Sequence, residues 1–477
     1  MLMQLPLNRT KIAIAVSNSI LLSAALGFAP LAAFAETPPT VSHNQALNTI
    51  LNHDDLTYAG ITLYGTIDLG LVHQSHGAPL SDSYISGLEY LVSKNSNKSI
   101  NTLAPNGMSA SKIGIKGDIK VTDDLSAVFK LETGFNPTSG MLSDGPKSLV
   151  ANNGVPLNQQ TSNADSSRAG QPFQGAAYGG VSSKQWGTLT AGRQNNLQTD
   201  ALGKYDPQGG SYAFSVIGYS GVMIGGGSTQ DARLDSSVRY ANQWGPGRLA
   251  TLYQFGNGTN GKAYQLNLGS DFALADLGLG NYGKLSIDAF YTQKKNAVSA
   301  ASLNTVQVLT EPTGSLAATT SDNTAYTLMV KYTLNPVNLY AGYEHIRYEN
   351  PSTPLAAGTT GLGGYVLSVV NNSAYTINKT LAVSWVGAKV AITPKLDLTG
   401  AFYHYSQNSY KGNGCQDNSA GSCSGSLNAT SLSADYKISK RLDLYGGAMY
   451  SKVKNGLASG YLHTSSVDPM VGMRYNF

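Results

Sequence analysis

Apolar side chains recur at every second position through most of this chain, up to its last residues. Val471, Met473, Tyr475 and Phe477 alternate with Gly472, Arg474 and Asn476. Near the other end, Ile61, Leu63, Ile67 and Leu69 fall on one face, and Thr62, Thr66 and Asp68 on the other. The same reading fits Leu125–Leu131, Leu234–Tyr240, Leu285–Phe290, Leu396–Thr399 and Leu442–Tyr445. Successive residues of a strand point to opposite faces, so this period requires extended chain with one face against an apolar medium. One such strand fits a soluble sandwich equally well. Many of them, with no buried apolar runs to compensate, favour a barrel.

Composition narrows the medium. Charged residues are 13% of the chain, against roughly 25% in ordinary soluble domains. Glycines number 53, and tyrosine outnumbers phenylalanine 28 to 11. Beyond the first thirty-five residues no twenty-residue apolar stretch exists, so no transmembrane helix is available. Low charge without such a span is the composition of a membrane β-barrel, whose apolar residues are spread over alternate positions. In hydrocarbon an unpaired backbone group costs several kcal/mol, so the sheet must close and its first strand must pair with its last.

Residues 1–35 carry the layout of a secretory signal peptide. Arg9 and Lys11 precede the apolar run Ile12–Leu26, and Ala33-Phe34-Ala35 forms a small-x-small cleavage site. The run is short for a membrane anchor, and Ser17, Asn18 and Ser19 interrupt it. Residues 36–59 are then an N-terminal extension and 60–477 the barrel. Without Arg9 and Lys11, 30 basic residues face 28 acidic ones, a balance that argues against a nucleic-acid partner. Cys415 and Cys423 share one polar stretch. In an exported protein a disulfide is the favoured reading. The alternative, a metal site, lacks the further ligands of a tetrahedral shell.

Spacing places strands near 60–73, 109–120, 124–136, 174–183, 186–195, 231–243, 247–257 and 261–274. Eight more follow near 282–293, 322–335, 337–350, 378–392, 395–408, 427–439, 441–453 and 466–477. The total of sixteen is even, as bacterial barrels require. Long loops at 74–108, 137–173, 196–230, 294–321, 351–377 and 409–426 alternate with tight turns, except near Asn257–Asn260. Short periplasmic turns and long external loops give this rhythm.

Several motifs resemble the general diffusion porins of Gram-negative bacteria, especially their β-proteobacterial branch. Ile61-Thr62-Leu63-Tyr64-Gly65-Thr66-Ile67-Asp68 is similar to that family's first strand. Ser111–Gly117 and Phe129–Phe135 resemble its second and third, and Gly187–Gln194 the strand before its pore-narrowing third loop. Val467–Phe477 resembles its last strand, with Tyr475 and Phe477 as the C-terminal barrel signal, and the paired-cysteine loop also has counterparts there. The resemblance runs in order over residues 60–477. Two departures stand out: the extension at 36–59 is longer than usual, and the third loop is poorer in acids.

The resemblance implies a sixteen-stranded antiparallel barrel in the outer membrane, in contact with its lipids. Its third loop folds inward, and it carries small hydrophilic solutes and ions passively. It implies homotrimers, with loop 137–173 reaching a neighbour. At the constriction, basic wall residues would face acidic loop residues, setting a transverse field. Alternation offers Lys112, Lys116, Lys130, Arg233 and Arg239 for the basic side. Arg193 resembles the family's constriction arginine, although parity from Leu189 points it outward; Gly192 offers a bend. Asp200, Asp206 and Asp231 on the loop, with Glu132 and Asp68 on the wall, are the acidic candidates. The excess of basic candidates implies weak anion selectivity. A substrate-specific porin with a binding site in the channel is the alternative.

No cofactor is expected. His73 and His76 form an HxxH pair at a strand end without a third ligand, and Gly225–Gly227 lacks the lysine and hydroxyl of a phosphate cradle. No Gly-x-Ser-x-Gly elbow is present, so an outer-membrane enzyme has no nucleophile to stand on. A secreted lectin or adhesin has no need of lipid-facing alternation. Tyr332, Tyr340, Tyr343, Tyr403 and Tyr405 fit an interfacial girdle better than sugar-stacking platforms.

Overall fold

The alternating sequence does close on itself. The computed structural model describes residues 56–83, 92–163, 167–219, 232–256, 261–278, 280–411 and 420–477. Sixteen antiparallel strands form one closed barrel. The first eight are β1 (Ile61–Gly77), β2 (Lys112–Lys120), β3 (Leu125–Gly134), β4 (Ala176–Ser183), β5 (Gly187–Asn195), β6 (Arg233–Trp244), β7 (Gly247–Gln254) and β8 (Ala263–Ala273). The rest are β9 (Lys284–Ala301), β10 (Leu316–Leu334), β11 (Val337–Glu349), β12 (Lys379–Thr393), β13 (Leu396–Gln407), β14 (Gly425–Lys437), β15 (Leu442–Asn455) and β16 (Ser465–Asn476). Closure is made by β1 and β16, where Ile67 sits opposite Tyr475 and Leu69 opposite Met473. Phe477 completes the seam by exchanging backbone hydrogen bonds of 2.9 and 3.1 Å with Gly65.

The other edge of β1 is shared. Its lower half pairs with β2 and its upper half with a separate strand, Lys98–Pro105. Leu56–Tyr58, from the end of the N-terminal extension, folds back on the start of β1.

The two faces divide as the period requires. Ile67, Leu71, Leu268, Val386, Leu432 and Val471 are exposed on the outer surface. Their neighbours Thr66, Asp68, Asn267 and Ser431 are buried on the inner one. Trp186, Trp244 and Tyr282 stand exposed beside tight turns, while Tyr264, Tyr291 and Tyr326 form a chain of ring contacts across β8, β9 and β10. Such amphipathic rings suit the two membrane interfaces. The five tyrosines expected in the girdle divide. Tyr332 and Tyr343 face outward, but Tyr340, Tyr403 and Tyr405 are buried inside the barrel. In Phe402-Tyr403-His404-Tyr405 both faces are aromatic-rich, so the residues alone do not reveal the parity.

The two longest strands run well past the roughly 9–11 residues that cross a bilayer: β9 has 18 and β10 has 19. Half of the loop expected at 294–321 is therefore strand. Above the membrane the start of β10 also pairs in parallel with Tyr365–Asn371, itself a hairpin with Thr359–Leu362. A satellite core of Leu149, Val298, Ala300, Leu316, Leu355 and Leu367 sits there. Leu149 belongs to α1 (Gly145–Ala151), capped by Asp144, which accepts from the Lys147 N–H at 2.9 Å. Tyr365 donates to the same carboxylate at 2.7 Å. The described part of loop 137–173, expected to reach a neighbouring copy, is thus packed on its own chain.

The main core lies inside the barrel. It is built where the third loop meets the inner face of the wall.

Candidate functional site

The third loop leaves β5 and enters the lumen through α2 (Leu197–Tyr205). Asn196 caps the helix by accepting from the Thr199 N–H at 2.7 Å. Asp200 in the first turn and Lys204 in the last match the helix dipole. Every few residues the loop is fastened to a different strand. Gln198 donates to Thr327 on β10 and to Glu344 on β11, at 2.5 and 2.9 Å. The Tyr205 carbonyl accepts from the Trp385 indole on β12 at 3.1 Å. Asp206 accepts from the Tyr403 hydroxyl on β13 at 2.6 Å. Gln208 bridges Ser431 and Ser433 on β14, at 3.0 and 2.7 Å. Phe214 meets Tyr445 on β15 edge-on, 6.3 Å between centroids.

Close approach is enforced by glycine. A Cβ on Gly387 would lie 2.5 Å from the Pro207 ring, so only a bare backbone lets the loop lie against β12. Beneath the helix, charges lock it down further. Lys204 reaches Asp271 at 2.8 Å, and Arg248 reaches Asp271 at 3.2 Å and Asp288 at 2.6 Å. Arg248 also donates to the Tyr205 hydroxyl at 2.9 Å.

Farther along, the described part of the loop lands on the break between Lys98–Pro105 and β2. Both the Ser211 hydroxyl and the Ala213 N–H donate to the Gly107 carbonyl at 2.8 Å. That break is shaped by Asp68, which is fully buried. Its carboxylate accepts from the N–H groups of Gly107, Met108 and Ser109 and from the Tyr445 hydroxyl, at 2.6–3.1 Å. Asp68 is therefore no pore charge. It positions the segment on which the constriction loop lands, a role nothing in its strand pattern announces.

Along the remaining wall, from β1 to β6, the described part of the third loop touches little besides Arg239, and the inward face is basic. Lys112 and Lys130 approach Glu132 at 3.4 and 3.2 Å, and the Tyr64 hydroxyl donates to the same carboxylate at 3.0 Å. Arg168 and Arg233 are close enough to act on this group electrostatically. Arg168, from loop 137–173, was not among the sequence candidates; its loop position hid it. Lys116 is exposed to the lumen. Arg239 forms an ion pair with Asp200, bringing wall and loop charges together at the helix start.

Three of the expected constriction residues stand elsewhere. Asp206 is buried behind the loop, facing Tyr403 and its own Gln208 and Gly210 N–H groups. Burial pushes its carboxyl above the usual carboxylate range. Asp68 is spent as described. Arg193 sits where the β5–β6 register shifts, next to Gly192 with φ 132°. The bulge frees it from strict alternation, but its guanidinium is held by the Ser167 and Gln174 carbonyls and by Asp235 rather than aimed into the pore. Asp231 and Cys415 lie outside the described residues, while Cys423 is buried. His73 hydrogen-bonds Asn101, and His76 stacks on His463 with centroids 4.0 Å apart.

A closed barrel with an apolar exterior and a polar lumen narrowed by an inward loop defines a class: an outer-membrane channel for passive diffusion of small solutes. A family model for Gram-negative porins matches residues 22–456, and the chain belongs to that family, whose members are channels and not enzymes. It is 24% identical to an outer membrane porin protein of Bordetella pertussis over 421 residues, 82% of this chain and 89% of that one. Its fold is similar to an anion-selective porin from Comamonas acidovorans, with TM-score 0.54 and 16% identity over 87% of this chain and 99% of that one. It is similar to the trimer form of OmpT from Vibrio cholerae, with TM-score 0.54 and 14% identity over 87% and 99%.

Proposed function

We propose that this porin passes small hydrophilic solutes without strong selection and favours anions. The carrying observation is asymmetry across the constriction. The unoccupied wall presents Lys112, Lys116, Lys130 and Arg239, with Arg233 behind them. Facing it, the described part of the loop offers Asp200, already paired with Arg239. Glu132, the main carboxylate on that wall, is enclosed by two lysines. A lumen with surplus positive charge raises local anion concentration, the more so where low-dielectric walls focus the field. The likeness to an anion-selective porin agrees with this sign. Reversal potentials across a KCl gradient in planar bilayers test it: a shift toward the chloride potential is expected, and a shift toward the potassium potential overturns it.

The working unit is a homotrimer. The outer face of β1–β5 supports this reading. It is built of aliphatic and small residues such as Ile115, Gly117, Ala177, Gly179, Val181 and Leu189. The aromatic chain, in contrast, lies on β8–β10. Residues 1–35 act as the export signal and 36–59 as an extension of the mature chain. Cys415 and Cys423 form a disulfide that tightens the loop before β14; Cys423 is buried and is not a free thiol.

A further inference from the structure

The basic wall has texture as well as charge. Below the constriction, the inner faces of β1–β5 form a hollow of about 610 Å³ that opens to the lumen. Two tyrosines, Tyr64 and Tyr178, line it with Lys116, Lys130 and the aliphatic Val128. The Lys116 and Lys130 ammonium groups each stand 5.7 Å from the Tyr64 ring centroid. The Tyr64 hydroxyl is tied to Glu132 at 3.0 Å, which fixes the ring edge. Tyr178 lies directly opposite Lys130 across the β3–β4 pair. Lys130 already shares Glu132. Lys116 is exposed and makes no salt bridge among the described residues.

We propose that this hollow binds small aromatic carboxylates in transit, a claim that rests on the anion-favouring reading above. Lys116 receives the carboxylate, and the ligand ring lies against Tyr178 and Val128. Offset or edge-on contact between rings adds to what the ammonium alone supplies. A compact inorganic anion would meet the same ammonium but leave the tyrosine surfaces wet. A neutral sugar would use the rings and leave Lys116 without a counter-charge. A cation would have to compete with two lysines for Glu132. Asp118, two residues from Lys116 and also lining the hollow, repels the carboxylate at the far edge and so fixes its direction. The groups are few and water-exposed, which keeps binding weak enough for the solute to leave, as conduction requires.

Single-channel recordings of the full-length protein in KCl test this, with benzoate, acetate or inorganic phosphate added in turn. Benzoate should interrupt the chloride current in a concentration-dependent way at concentrations where acetate and phosphate do not. Lys116→Ala and Tyr178→Ala should each weaken the block by about tenfold, or about 1.4 kcal/mol. Tyr178→Phe should keep it, since the ring is retained. Heat-modifiable gel migration establishes that each variant is folded. Block by benzoate no stronger than by acetate or phosphate, or folded Lys116→Ala and Tyr178→Ala channels blocked as the parent is, overturns the site. The KCl reversal potential of the same channels separates the two failures. Anion preference without benzoate block removes the site alone, whereas cation preference removes the site together with the reading beneath it.

Discussion

The two halves of the lumen wall are built from the same alternating pattern and do opposite things with it. From β10 to β15 inward side chains such as Thr327, Glu344, Trp385, Tyr403, Ser431 and Ser433 are buried where they hold the third loop. From β1 to β6 they are lysines, Arg239, Tyr64 and Tyr178, along the open channel. A polar inward face is thus only a permission. Where the described part of the loop docks, it becomes a buried, hydrogen-bonded mount; elsewhere it stays an electropositive surface.

The largest effect should come from the mount. Asp206→Ala removes the acceptor of the Tyr403 hydroxyl and of two backbone N–H groups, and each orphaned buried donor costs about 1–3 kcal/mol. Unit conductance and open-channel noise should both rise; an unchanged channel would mean the loop stands without this contact. Gly387→Val acts in the same direction by pushing Pro207 off the wall, with overpacking costing about 1–3 kcal/mol. Liposome swelling should then admit larger sugars than the parent does.

On the bare half, the double change Lys116→Glu and Lys130→Glu should leave the loop in place and move selectivity toward cations. The move should be larger in dilute salt than near 1 M, where the Debye length is only about 3 Å. Equal reversal potentials for variant and parent would show that these lysines do not set selectivity.

The mount should also respond to acid. Burial raises the Asp206 carboxyl above its ordinary value, near 3.9 for a free side chain, so the docked loop binds a proton more readily than a released one. Its contribution to docking is complete below the ordinary value and is lost as pH rises through the raised one. Loop noise should therefore fall as pH is lowered from 7, and Asp206→Asn should flatten that trend. The smallest effect belongs to Gly203, whose Cβ would meet nothing within 4 Å on the open side of α2. Gly203→Ala should stabilise the helix by about 0.8–1.0 kcal/mol, with conductance nearly unchanged.

The sixteen strands were legible because period two is a one-dimensional signal, and the strand ends deviate where loops lend extra pairing, as at β9 and β10. The facing of the wall lysines was legible too. Lys112, Lys116, Lys130 and Arg239 sit on regular strands, where counting from an apolar neighbour gives the face. Counting fails at Arg193, because the bulge beside Gly192 resets parity. It misleads at Asp68 and Asp206 for another reason: an inward carboxylate looks alike whether water or a backbone turn receives it. Arg168 sits in a loop, where no period exists to count.

By itself, then, the sequence determined a closed barrel and its lipid face, because those follow from alternation and from the cost of unpaired backbone in hydrocarbon. Only the tertiary structure decided which inward carboxylates line the pore and which hold it in shape. That choice depends on where a loop with no periodicity of its own comes to rest against the wall.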